Sequence, residues 1–185
     1  SLEDLLRKVE EDAKRSIEKL EKDLKRVEDK HRELVERVKR RLDDVRRKLE
    51  EIIRDAERKG TSDEVREFLK EVERRVEKIA DELRRKLERN HEELRRLADE
   101  LRKKSEEVTR RLRDIMRKLR EENTTDERVV REVLDELRKL LDDHNKKVKT
   151  VLDELKRSLD KLREEVKKVE DKLEEILKTL KETVR

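Results

Sequence analysis

Residues 20–38 read LEKDLKRVEDKHRELVERV, and the spacing within this stretch decides the fold. Leu20, Leu24, Val27, His31, Leu34 and Val38 follow one another at steps of 4, 3, 4, 3 and 4. Every residue between them is charged except Val35. Five steps in 18 residues make 3.6 residues per step, the pitch of the α-helix itself. A seven-residue repeat would impose a left-handed supercoil and an eleven-residue repeat a right-handed one, whereas eighteen demands neither. The spacing therefore predicts straight helices.

The same cycle runs back to Leu2 and on to Ala56, and it recurs from Val65 to Leu119 and from Val130 to Val184. A second apolar line widens each stripe enough to face two neighbours: Ile17, Val35 and Ile53; Ala80, Ala98 and Met116; Leu134 and Leu152, with Leu140 and Ile176. Only two places interrupt the cycle, Lys59-Gly60-Thr61-Ser62-Asp63-Glu64 and Glu122-Asn123-Thr124-Thr125-Asp126-Glu127. Gly60 and Asn123 are residue types that accept the left-handed conformation past a helix C-terminus. Thr61 and Thr124 stand three residues before Glu64 and Glu127, the spacing of a capping box, with Ser62 or Thr125 as the alternative caps. Asp63 and Asp126 add negative charge where the helix dipole favours it. Helices are thus predicted over about residues 2–58, 63–121 and 126–184. Each would be on the order of 85 Å long at ~1.5 Å per residue. Connections this short make neighbours antiparallel. The predicted architecture is an all-α, up-down-up three-helix bundle occupying residues 1–185 as one domain.

Composition agrees with this reading. Charged residues make up 59% of the 185 and hydrophobic residues 30%, against about 25% and 45–50% in ordinary domains. Such a balance can signal disorder, but here the apolar residues are periodic and the remainder are good helix formers. The net charge of +4 comes from 57 basic and 53 acidic residues interleaved throughout, so no basic face for nucleic acid is expected. With no cysteine, no disulfide is possible. No apolar run approaches a membrane span, and no targeting signal is read at the N-terminus. A soluble, cytoplasmic monomer without required partners or cofactors is the expectation. The single Phe68 and Met116 read as core filler, and the basic runs Lys39 to Arg41 and Arg84 to Lys86 as solvated faces.

The exceptions to the repeat are its informative members. Ser16, His31, Asn90, Ser105 and His144 are its polar positions. Counting layers from the start of the first helix, with the second reversed, puts Ser16, Ser105 and His144 in one layer. His31 and Asn90 share another with Leu159. Thr109 and Asn145 flank the first layer, and His91 and Ser158 the second. Polar errors scattered at random would not align across three helices. Two buried hydrogen-bond networks would, since a buried polar group is costly unless partnered. Their expected role is to specify register, because a polar layer pairs only with a polar layer.

Sharper chemistry is less well supported. His144 lies four layers from His31, and His31 with His91 lacks further metal ligands, so no metal site is expected. Ser16 or Ser105 beside His144 has the residue types of a nucleophile and base, but a solid bundle offers no cleft or oxyanion donors. No catalytic residue is therefore assigned. A pH response is the best of these alternatives. Protonating a buried histidine would add charge where no buried carboxylate is evident, softening the fold below about pH 6.

The 18-residue repeat, the matched Thr-Ser-Asp-Glu and Thr-Thr-Asp-Glu loops and the near absence of Gly, Pro and aromatics resemble computationally designed parametric helical bundles. The aligned Ser, Asn and His layers resemble those members of the class that are built around buried hydrogen-bond networks. The resemblance covers the whole chain and implies a thermostable, monomeric scaffold without evolved activity. Spectrin-like three-helix repeats are similar in topology, but they carry a buried Trp and heptad spacing, and this sequence has neither.

Overall fold

The computed structural model describes residues 1–184 and consists of three α-helices: α1 (Leu2–Arg58), α2 (Asp63–Glu122) and α3 (Glu127–Thr183). Each packs against the other two, which makes the chain an all-α three-helix bundle. The helix ends fall within one residue of those predicted from spacing.

Both connections turn on a residue with positive φ, Gly60 at 72° and Asn123 at 46°. The amide of each donates to the carbonyl three residues back, closing the last turn. A side chain at Gly60 would meet nothing within 4 Å, so backbone strain alone favours glycine there. The caps differ from the capping-box expectation. Ser62, not Thr61, caps α2: its Oγ accepts from the Val65 amide at 3.3 Å, and its carbonyl accepts the first helical bond, from Arg66. Asp126, rather than Thr124 or Thr125, caps α3, its Oδ1 accepting from the Arg128 amide at 3.0 Å. Its own amide donates to Thr124 Oγ1. A carboxylate at that position meets both the free amides and the positive end of the helix dipole, which moves the start of α3 one residue along.

The packing divides into two compact units, each built from all three helices. The first comprises Ser1–Glu28 and Glu93–Lys156. In its core Leu6, Val9 and Ala13 of α1 meet Leu112, Met116 and Leu119 of α2 and Leu134, Leu137 and Leu141 of α3. The second comprises Asp29–Glu92 and the chain from Arg157 on. There Val38, Leu42 and Val45 of α1 surround a small void with Leu83 of α2 and Leu173 and Leu177 of α3.

Interhelical ion pairs report direction and register. In the first unit Arg120 of α2 reaches Glu3 and Glu10 of α1, and Arg102 reaches Glu21 and Glu28. As one number falls the other rises, so α1 and α2 are antiparallel. In the second unit Arg46 of α1 pairs with Glu77 of α2. Also in that unit, Arg37 pairs with Glu170 and Arg41 with Glu174, a constant offset that makes α1 and α3 parallel.

The stripe is not centred where the repeat alone puts it. In α2, Ala80, Ala98 and Met116 are buried, while Ile79, Leu97 and Ile115 beside them are half-buried. A helix that touches two neighbours hides the meridian between its two apolar lines, and alanine lets the backbones approach. Phe68 is not core filler but 43% exposed. It precedes the inward Leu69 by one residue, about 100° around the helix, among Glu64, Glu67 and Glu71.

Candidate functional site

The polar residues of the repeat gather at two places, one in each unit. In the first unit Ser105 and His144 are buried, and Ser105 Oγ lies 2.8 Å from His144 Nε2, joining α2 to α3. A neutral imidazole can serve as donor or acceptor in this bond. Burial holds the proton affinity of His144 below its ordinary range, and the charges of Lys147 and Lys104 lower it further. Ser16 and Thr109 line the same void, but each hydroxyl donates to the carbonyl four residues back on its own helix, Asp12 at 3.1 Å and Ser105 at 2.8 Å. Asn145 stands exposed at the rim. The void measures about 10 Å³, room for one water at most, and it admits no substrate. The closed three-helix network expected here is thus a single interhelical hydrogen bond. Short hydroxyl side chains reach their own backbone more readily than they reach across to a neighbouring helix.

In the second unit the arrangement differs. Asn90 Nδ2 donates to Ser158 Oγ at 3.0 Å, again joining α2 to α3. His31 takes no part in that bond. Its ring is 3% exposed, and neither Nδ1 nor Nε2 has a hydrogen-bond partner. The ring lies against His91 of α2, with centroids 5.4 Å apart and planes 20° from parallel. His91 itself is exposed rather than part of a buried layer. Burial, and then the charge of His91, push the proton affinity of His31 below its ordinary value of 6.5.

A third buried polar site lies outside the repeat as read from the sequence. Glu170 of α3 is 7% exposed, and its carboxylate accepts from Arg37 Nη2 at 3.0 Å and Arg41 Nε at 2.7 Å, both on α1. The bond to Glu170 is the first cause that raises the Arg41 proton affinity. A void of about 20 Å³, room for one water, adjoins the carboxylate between Leu42, Leu83 and Leu173. Glu170 corrects the expectation that no carboxylate is buried. Arg41 stays on the solvated face, 46% exposed, while its guanidinium reaches in to Glu170. The signal was present: Leu134, Leu152 and Glu170 are successive members of the second apolar line, eighteen residues apart.

Among the described residues no group of three or more His, Cys, Asp or Glu side chains could hold a metal ion, and no helix is long and apolar enough to cross a membrane. No family model, curated protein or solved structure matches the chain.

Proposed function

We propose that this chain is a structural scaffold of designed origin, a thermostable monomer whose buried polar residues specify which helix faces meet and in what register. Its role is to hold a shape. The observation that carries this reading is the distribution of the polar contacts over the helix pairs. Ser105–His144 and Asn90–Ser158 join α2 to α3, Glu170 joins α3 to α1, and His31–His91 joins α1 to α2. An apolar stripe with one core position per helical turn packs almost as well when one helix slips by a turn, so apolar burial alone discriminates poorly between registers. A slip would bury each of these groups against hydrocarbon, at about 1–3 kcal/mol for a neutral group and more for Glu170. The designed origin rests on the strictness of the repeat and the near absence of Gly, Pro and aromatics.

Replacing Ser105, His144, Asn90, Ser158 and Glu170 together with apolar residues tests this role. Thermal stability should hold or rise, because well-packed apolar residues often equal or exceed buried polar pairs. At pH 7 the parent chain should give a single set of amide NMR signals and this variant several, as alternative registers become populated. One sharp set of signals in that variant would show that the polar positions do not specify register. A collapse in stability would show that they act in some other way.

A further inference from the structure

We propose that the His31–His91 stack is an acid-operated latch, set to release α1 from α2 when both imidazoles carry a proton. The inference rests on the geometry of one pair and goes beyond the scaffold role. It holds whether or not the polar positions specify register.

Two neutral rings 5.4 Å apart and 20° from parallel make a favourable apolar contact. His91 is exposed, so a charge on its ring is solvated. A proton on His31 has nowhere favourable to go. It must enter a ring that is 3% exposed, and it turns both ring nitrogens into donors where neither has a partner. It also places like charges on facing rings.

No carboxylate is hydrogen-bonded to the His31 ring to offset its charge. From α2, His91 is the charged group that acts on His31, and Asn90 is committed to Ser158. On α3, Ser158 is occupied by its bond from Asn90. On α1, Glu28 stands three residues earlier, but its carboxylate is engaged by Arg102. Separation of the two rings is the remaining way to accept the proton.

His144 provides the internal contrast. Lys104 of α2 and Lys147 of α3 are the charges that act on it, and α1 presents the uncharged Ser16. When protonated, its Nε2 can still donate to Ser105 Oγ at 2.8 Å. Its hydrogen bond survives charging, whereas the His31 stack does not.

The sign follows from proton linkage. His31 binds a proton less readily when packed than when released, so the latch is fully closed above its ordinary value of 6.5 and weakens as pH falls below it. One proton taken up on opening shifts the opening equilibrium about tenfold per pH unit.

Amide hydrogen exchange between pH 7.5 and 4.5, corrected for the intrinsic rate, reads this directly when paired with an NMR titration of the three histidines. In the unmodified chain, protection over residues 29–35 and 87–92 should fall below pH 6.5, approaching tenfold per pH unit. His31→Leu should abolish that dependence, and His91→Gln should leave its onset in place but shrink the total loss of protection, because the charge that opposes protonation of the packed His31 ring is gone. His144→Leu should leave it in place in these two segments. Full pH dependence in His31→Leu would overturn the latch. So would a His31 ring in the unmodified chain that titrates at its ordinary value while protection stays intact, a result that needs no variant to fold.

Discussion

The Ser105–His144 pair and the His31–His91 pair use the same chemistry, a histidine at a core position of the repeat, and meet opposite fates. His144 finds a hydroxyl at 2.8 Å, whereas His31 is more deeply buried and finds no partner for either nitrogen. The difference arises from the neighbour across the interface. Ser105 is small and sits in the core of α2, so its hydroxyl can point at the incoming ring. Asn90, which the spacing puts in the same layer as His31, turns its amide to Ser158 of α3 instead. Burial depth does not settle whether a polar side chain strengthens or weakens a core. Partnership does, because an unmet donor or acceptor bears its full desolvation cost.

Glu170 extends the comparison to a buried charge and should give the largest effect. Replacing Arg37 and Arg41 together by Met keeps much of the apolar contact but leaves the carboxylate unpaired among leucines. Breaking a buried ion pair from one side costs roughly 3–5 kcal/mol, and the two guanidinium groups are about half exposed, so about 2–3 kcal/mol is expected here. Adding Glu170→Leu to that variant should recover most of the loss. Denaturant unfolding of the double and triple variants measures both quantities. If the double variant is as stable as the parent, Glu170 is solvated well enough to need no partner.

The two histidine sites should then diverge in sign. Ser105→Ala removes the one partner of His144 Nε2 and should destabilise the fold by about 1–2 kcal/mol at pH 7. His31→Leu removes two unmet nitrogens and should leave stability unchanged or raise it by about 1 kcal/mol, moving the denaturation midpoint upward. Losses of equal size in both variants would mean that His31 has a partner in solution, and the contrast between the sites would disappear.

How much of this was legible in the sequence follows the same division. The apolar repeat forecast three helices and their ends to within a residue, because burial is periodic and the period of a helix is fixed. Alignment of polar positions was legible for the same reason: Ser16, Ser105 and His144 do line one void, and Asn90 does reach Ser158. The bonds within each cluster were not. Whether Ser16 bonds across the interface or back to Asp12 is a choice between rotamers of similar energy, and spacing carries no information on rotamers. Nor was the cap of α3, where three consecutive residues could each cap. Glu170 stayed hidden because one acid among 53 is conspicuous only on the second apolar line, whose third member in α3 it replaces.

Phe68 gives the smallest expected effect and marks where the periodic argument stops. A lone aromatic in so polar a chain invites assignment to the core, yet its position is off the stripe, and at 43% exposure its ring loses only part of its contact with water. Single exposed apolar residues are ordinary on protein surfaces and do not by themselves form a binding patch. Phe68→Gln should therefore change stability by no more than about 0.5 kcal/mol, well below the effect at any buried polar site. Small as it is, the result bears on the main comparison. A loss of about 2 kcal/mol in thermal or denaturant unfolding would mean that the ring is packed in solution. The stripe of α2 would then be rotated toward Phe68, and the positions of Asn90 and His91 on that helix would have to be reassigned with it.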